Sequence, residues 1–131
     1  MKDKFFLAVG IAIVVWSFYV VWHQPARGES LKIGDKIISV EIADTNAERV
    51  RGLSGRDKFE TGHGMLFVFE EAGFHGIWMK EMRFSIDIAW LDENWNLVGI
   101  EKNVSPESFP HIFYPPTPVK YILEINAGEL D

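Results

Sequence analysis

The stretch FHGIWMKEMRFSIDIAWLD, from Phe74 to Asp92, places Lys80, Glu81, Arg83 and Asp87 inside an otherwise strongly apolar, β-prone run. Alternation from Phe84 onward puts apolar residues on both sides of Asp87, which indicates a buried or half-buried carboxylate. Lys80 follows Trp78 and Met79 and has similarly apolar surroundings. An isolated charge in such a place is costly unless it is paired or hydrogen-bonded. We therefore predict that Lys80 and Asp87 compensate each other as the polar centre of the domain.

Strand patterns surround this central stretch on both sides. Four further segments alternate or are continuously apolar in the manner of strands: Lys36–Ala43, Met65–Phe69, Leu97–Glu101 and Val119–Asn126. In the last of these, Leu123 and Ile125 are predicted to face inward, with Ile122 and Glu124 on the other face. Ser105 to Pro118 contains five of the six prolines and several aromatic residues, so it predicts an extended loop of the kind that often forms a lid or binding rim.

One helix is predicted between the first two of these strands. Thr45 followed three residues later by Glu48 forms a capping box, in which each side chain accepts a hydrogen bond from the other residue's backbone. Gly55 can end the helix in the left-handed conformation, so the helix should run from Thr45 to Ser54. The predicted fold class is α+β and mainly antiparallel β, a small barrel-like or sandwich sheet with one short helix, preceded by an N-terminal transmembrane helix.

The N-terminal segment has the length of a membrane span. Phe5 to Trp22 contains eighteen residues without a charge, and at helical rise it covers roughly 27 Å, close to the hydrocarbon thickness. A cleaved signal peptide is the alternative, because Lys2 and Lys4 form a basic N-terminal region. Those lysines favour a cytoplasmic N-terminus. We predict a single-pass anchor in the cell membrane over residues 1–23, a linker over 24–31 and a β-rich extracytoplasmic domain over 32–131.

Composition excludes several classes of function. The chain has no cysteine, so disulfides, thiolate nucleophiles and thiolate metal sites are absent. Beyond Trp22, 11 lysines and arginines stand against 18 acidic residues, which argues against nucleic acid and against an anionic membrane surface as partners. His63, His75 and His111 lie on separate loops without the spacing of metal ligands, so no metal site and no cofactor is predicted.

Short motifs in a fixed order give the chain a family resemblance. They are E-R-x-x-G-L at Glu48 to Leu53, G-R at Gly55-Arg56, G-M-L-F-x-F at Gly64 to Phe69, W-M-K at Trp78 to Lys80, I-D-I at Ile86 to Ile88, and Y-x-L-E-x-N-A-G at Tyr121 to Gly128. With these motifs the chain closely resembles the family called domain of unknown function 192, whose members often carry an N-terminal membrane or export segment. The resemblance implies a compact, β-rich single domain with little helix, and it implies no established activity.

The charged residues inside these motifs form the candidate ligand-binding site. They are Arg49, Arg56, Lys80, Asp87 and Glu124. The basic residues could clamp a polar or anionic ligand while the carboxylates accept its hydrogen bonds. The same residues could instead form a structural ion-pair network that sets strand register and joins the helix to the sheet. The spacing of the motifs is compatible with both interpretations.

Two functions follow from these alternatives. The first is a membrane-tethered, extracytoplasmic binding or accessory domain, whose polar pocket around Lys80 and Asp87 takes a small polar ligand or a protein partner. The second is a hydrolase in which Asp87 and Glu124 act as paired carboxylates in general acid-base catalysis.

Overall fold

The computed structural model describes residues 28–130. The predicted membrane anchor at Phe5 to Trp22 lies outside the described residues. Among residues 28–130, no helix combines the length and the hydropathy needed to cross a membrane.

The described chain forms eight strands and one α-helix. In order they are β1 (Glu29–Ile33), β2 (Lys36–Ala43), α1 (Asn46–Arg51), β3 (His63–Gly73), β4 (Ile77–Trp78), β5 (Ile86–Leu91), β6 (Leu97–Val104), β7 (Ile112–Phe113) and β8 (Val119–Asn126), with a single 3₁₀ turn at Pro106–Ser108. Each predicted strand is present. Strand β1 begins inside the stretch that was predicted to be linker, because its first residues pair with Val40 and Ser39 of β2.

Six of the strands form one sheet in the order β1-β2-β3-β8-β5-β6, and β4 pairs with β7 in a separate two-stranded ribbon. Neighbouring strands are antiparallel except β2 and β3, which run parallel. Parallel neighbours need a crossover connection, and α1 lies in the segment that supplies it. The mainly antiparallel α+β class is therefore confirmed, with a mixed six-stranded sheet as its centre.

Both faces of the sheet are covered. On one face Leu123 and Ile125 of β8 pack with residues of β2, β3 and β5. On the other, Ile122 packs in a cluster that includes Leu53 and Met79, which lie in the connections after α1 and β4. All six residues of β5 are buried. The central strands β8 and β5 thus have two buried faces, and a polar side chain on either face must find its partner inside the protein.

Helix α1 begins as predicted and ends earlier. The Thr45 hydroxyl accepts a hydrogen bond from the Glu48 amide at 3.2 Å, and the Glu48 carboxylate accepts one from the Thr45 amide at 3.1 Å. The backbone amides of Thr45 and Asp44, which both donate to the Glu48 carboxylate, lower the pKa of Glu48. The predicted end at Gly55 was wrong, because Gly52 already adopts a φ of 49° and its amide donates to the Glu48 carbonyl. A glycine at the first position that needs a positive φ ends the helix.

Candidate functional site

Asp87 is buried and fully committed to backbone hydrogen bonds. Its carboxylate accepts from the amides of Asn103 at 2.8 Å, Gly128 at 2.9 Å and Leu130 at 3.2 Å, and the residue has no exposed surface. The predicted burial of Asp87 is confirmed. Three amide donors satisfy a carboxylate without a cation, so Asp87 holds the end of β6 and the turn after β8 together.

A β-bulge brings one of these donors to Asp87. Ile86 pairs with Val104 and Ile88 pairs with Glu101, so two residues of β6 stand opposite Asp87 alone. Asn103, one of the two, has a φ of 52°. An extra residue in one strand re-aims its backbone groups, and here it turns the Asn103 amide toward the carboxylate.

Lys80 does not pair with Asp87, so the predicted polar centre was wrong. Its side chain is exposed, and its ammonium lies 5.5 Å from the centre of the Trp78 ring. Lys80 and Glu81 form a turn between β4 and β5, where side chains do not alternate between two faces as they do in a strand. The apolar neighbours in sequence therefore did not indicate a buried lysine.

Arg56 forms a different ion pair, with Glu41 of β2. Its two terminal nitrogens donate to the two carboxylate oxygens at 3.0 and 2.8 Å, and its guanidinium lies 5.5 Å from the centre of the Phe59 ring. Hydrogen bonding by Arg56 lowers the pKa of Glu41, and hydrogen bonding by Glu41 raises the pKa of Arg56. This pair joins the segment after α1 to the sheet through Glu41, which was not among the charged residues singled out in the sequence.

A cavity of about 540 Å³ lies between the sheet, helix α1 and the turn after β4. Its apolar wall includes Leu53, Phe67, Phe69, Ile77 and Met82, and polar or charged residues form much of the remaining lining. The proline-rich loop from Ser105 to Pro118, which the sequence suggested as a binding rim, contributes none of the lining residues. Small-molecule sites in proteins have cavities of this size that combine apolar walls with polar groups.

Glu124 forms the buried end of this cavity. On the sheet it stands between Met65 of β3 and Ile88 of β5, and it is only 5% exposed. No group within residues 28–130 donates a hydrogen bond to its carboxyl. Burial raises the pKa of Glu124 to about 8, because desolvation disfavours the charged form. At neutral pH this carboxyl is therefore mainly protonated and can donate a hydrogen bond into the cavity.

Basic residues also line the cavity. Arg51 and Lys80 are exposed, as is the acidic Glu81, so these three mark its solvent-facing mouth, and Arg49 is half-buried beside them. Arg49 is held in place, since it donates to the carbonyl oxygens of Asp44 and Val68 and its guanidinium lies over the Phe69 ring.

The backbone of the turn formed by Lys80 and Glu81 is also held in place. The Ser54 hydroxyl donates to the Lys80 carbonyl at 2.8 Å, and the Gly55 amide donates to the Glu81 carbonyl at 2.9 Å. Glu81 has a φ of 57°, which is uncommon for a residue with a side chain. The turn that carries Lys80 is thus tied to the segment after α1.

The structure divides the five predicted ligand-binding residues. Arg49, Lys80 and Glu124 line the cavity, whereas Arg56 and Asp87 do not. Asp87 pairs with Ile125 and Glu124 pairs with Ile88, so the two carboxylates point to opposite faces of the sheet. Sequence reasoning missed Arg51 and Glu81 as lining residues. No sequence pattern signals the positive φ that places Glu81 at the cavity. Arg51 could have been found, because it lies two residues after Arg49 within the same motif.

Comparisons with known proteins give a family and two solved structures. The chain matches the family DUF192, described as "Uncharacterized ACR", over residues 29–131. A crystal structure of a protein of unknown function from Novosphingobium aromaticivorans DSM 12444 is similar at 26% identity with a TM-score of 0.68, covering 71% of this chain and 66%, just under two thirds, of that chain. No protein with curated annotation matches.

The second solved structure matches over more of its length. It is a protein from Sinorhizobium meliloti 1021 described as a candidate transcription regulator, similar at 28% identity with a TM-score of 0.71. The match covers 82% of this chain and 88% of that one.

Proposed function

The chain belongs to the DUF192 family, and we propose that it is a membrane-tethered, extracytoplasmic binding domain whose ligand site is the cavity above Glu124. The observation that carries the proposal is the carboxyl of Glu124, which is buried, lines the cavity and has no hydrogen-bond partner within residues 28–130. Buried polar groups in folded proteins are almost always hydrogen-bonded. A ligand in the cavity would supply the missing partner.

The free-energy cost of burying the Glu124 carboxyl supports a functional role for this residue. Burying a carboxyl without a protein partner costs up to roughly 1–3 kcal/mol by mutational measures. The Glu124 oxygens face the cavity and are not fully enclosed; the fully enclosed side-chain oxygen without a partner in residues 28–130 is Oε2 of Glu129. A leucine or methionine would fill the same position between Met65 and Ile88 without that cost. Residues with strongly shifted pKa values in a cleft are candidates for functional groups, and Glu124 has both features.

The tether is proposed from the sequence. The uncharged run from Phe5 to Trp22 is long enough to span a bilayer, and Lys2 and Lys4 before it favour a cytoplasmic N-terminus. Six residues separate this run from β1, so the domain would lie close to the outer membrane surface. Full-length protein should fractionate with membranes, and protease added from outside should digest the domain. A soluble mature protein that begins near Arg27 would contradict the anchor.

The geometry does not favour the hydrolase with paired carboxylates. Asp87 and Glu124 face opposite sides of the sheet, and all three hydrogen bonds of Asp87 go to backbone amides. A transcription-related role like that described for the Sinorhizobium protein is also not favoured here, because the excess of acidic residues opposes contact with DNA.

Ligand binding can be tested with single-ring aromatic acids, alcohols and amines added to the full chain in mild detergent. We expect a subset to shift the NMR methyl signals of Leu53, Met65 and Met82, and Glu124→Leu should abolish those shifts. Glu101→Leu is the matched control. Glu101 of β6 pairs with Ile88 on the side away from Glu124, and it does not line the cavity. Shifts that persist in Glu124→Leu would contradict the proposed site.

A further inference from the structure

We infer that the cavity takes a small amphipathic anion, with its anionic head at Lys80, its apolar body against the walls, and an oxygen at its inner end bonded to the Glu124 carboxyl. The inference rests on the proposed function and adds to it the charge and the orientation of the ligand. Three parts of the cavity support it in turn: the mouth, the walls and the buried end.

The mouth is positively charged in an acidic protein. The whole chain has a formal net charge of −6, yet three of the four charged residues around the mouth are basic. Clefts lined by one sign of charge attract ligands of the opposite sign. An anionic group placed there would meet Arg49, Arg51 and Lys80 and be opposed by Glu81 alone.

Lys80 is the mouth residue best placed to bind the head group. Within residues 28–130 its ammonium makes no ion pair, and it lies 5.5 Å from the centre of the Trp78 ring. The backbone of Lys80 is held by Ser54, while the side chain is free to turn toward a ligand. An ammonium group has three donors and binds a carboxylate or phosphate oxygen as a point charge.

The walls favour an apolar body for the ligand. Phe67 is buried, Phe69 is partly buried, and the lining continues outward to Val50 and Trp78, which are 74% and 48% exposed. Apolar surface at the mouth of a cavity is costly to leave in water. A ligand with an aromatic or aliphatic body would cover part of it while its head group reaches Lys80.

The buried end favours an oxygen in preference to an ammonium group. Glu124 holds its proton near neutral pH because it is desolvated, so its hydroxyl can donate to an ether, carbonyl or hydroxyl oxygen. A cationic ligand would first require the carboxyl to ionise. Other charged groups near Glu124 are Arg49, Arg51, Lys80 and Glu81 in the cavity, with Glu41 and Glu101 beyond Met65 and Ile88 on the sheet.

The test uses three probes with the same body and different charges: para-methoxyphenylacetate, para-methoxyphenethyl alcohol and para-methoxyphenethylamine. Their dissociation constants for the full chain in mild detergent are measured by NMR titration. We expect the acetate to bind about ten-fold more tightly than the alcohol or the amine, since one ion pair in a partly buried site contributes about that much. Lys80→Met should remove this preference, and Lys32→Met on the edge strand β1 is the matched control.

Variants of Glu124 separate a hydrogen-bond donor from a charge. Glu124→Gln keeps a donor at the buried end and should bind the acetate nearly as well as the unmodified chain, whereas Glu124→Leu should not. Affinity for the acetate should also fall as the pH rises above about 8, where Glu124 ionises, and this fall should be absent in Glu124→Gln.

The outcomes distinguish the two levels of proposal. If the amine binds most tightly and Glu124→Gln loses it, the cavity is a binding site for cations, and only the inference on the anion is overturned. Equal affinity for the acetate in Lys80→Met would likewise overturn the inference. If no probe binds, or Glu124→Leu binds all of them unchanged, the proposed binding site itself is wrong.

Discussion

Two buried carboxyl groups lie on neighbouring strands of one sheet and have opposite environments. Asp87 on β5 has no exposed surface and accepts three hydrogen bonds from backbone amides. Glu124 on β8 is 5% exposed and accepts none from residues 28–130. One faces the side of the sheet closed by the C-terminal turn, and the other faces the cavity. Burial is nearly equal for the two residues, so burial alone does not separate a structural carboxylate from a functional one.

The presence or absence of hydrogen-bond donors distinguishes the two carboxyl groups. Donors placed around a carboxylate hold two chain segments in position and repay the cost of desolvation. A carboxyl that is buried without donors has no interaction that offsets desolvation of its charged form, so it keeps its proton. Asp87 therefore stabilises the domain, whereas we propose that Glu124 serves a ligand. Substitutions of these and neighbouring charged residues test this contrast between Asp87 and Glu124, and the largest effect is expected at Asp87.

Removal of the Asp87 carboxylate should give the largest loss of stability. In Asp87→Ala the amides of Asn103, Gly128 and Leu130 lose their acceptor, and orphaned buried donors cost about 1–3 kcal/mol each, so a loss of about 4 kcal/mol or more is expected. The free energy of unfolding, measured by denaturant titration of the full chain in mild detergent, checks this. A loss below about 1 kcal/mol would show that the three hydrogen bonds are not structural.

Glu124 should make the domain less stable as the pH rises. Its pKa is 4.5 when unperturbed and about 8 in the folded protein, so the folded state binds more protons than the unfolded state between these values. The contribution of the protonated carboxyl is complete below pH 4.5 and is lost as the pH rises through about 8. At about 1.4 kcal/mol per pH unit, the loss from pH 4.5 to neutrality should be roughly 3 kcal/mol.

Replacement of Glu124 should remove this dependence. Glu124→Leu should be more stable than the unmodified chain above neutral pH, and its unfolding free energy should show a smaller slope across the same range. Glu101→Leu serves as the control because Glu101 lies outside the cavity. An unchanged slope in Glu124→Leu would mean that another group titrates and that Glu124 is ionised in the folded protein.

Disruption of the Arg56–Glu41 pair should have a modest effect. The pair is bidentate but more than a third exposed on both sides, and such pairs contribute about 0.2–1 kcal/mol. Arg56→Met should therefore lower the unfolding free energy by about that amount, and the loss should shrink in high salt. A double-mutant cycle with Glu41→Gln measures the coupling, and a coupling near zero would show that Arg56 acts through its contact with the Phe59 ring alone.

Replacement of Lys80 should have the smallest effect on stability. Its exposed side chain makes no ion pair within residues 28–130, so Lys80→Met should change the unfolding free energy by no more than about 0.5 kcal/mol. A double-mutant cycle of Lys80→Met and Asp87→Ala should show additive effects, since the two residues share no contact. Strong coupling between them would restore the polar centre that the sequence suggested.

Much of the fold could be predicted from local patterns. Alternation located β2 over Lys36–Ala43 and β8 over Val119–Asn126 with their observed bounds. The capping box at Thr45 and Glu48 marked the start of α1, because capping depends on residues a few positions apart. The end of the helix was less accessible, since Gly52 and Gly55 both adopt a positive φ and only packing beside Phe67 shows which of them ends α1.

The amino-acid sequence by itself determined that Asp87 is buried, because the alternation around it leaves its carboxylate no exposed face. For Glu124 the alternation predicted only the face opposite Leu123 and Ile125, and packing of that face around Ile122 is what buries it. The sequence also located the basic residues Arg49 and Lys80, which the structure brings to one cavity.

Tertiary structure alone decided which partner each group meets. The donors to Asp87 come from a bulge in β6 and from the turn after β8, 16, 41 and 43 residues away in sequence. Lys80, only seven positions away, turns outward because it lies in a turn and not in a strand. A hydrogen bond depends on distances of about 3 Å between atoms, and such distances between remote segments are set when the strands pair and the loops pack.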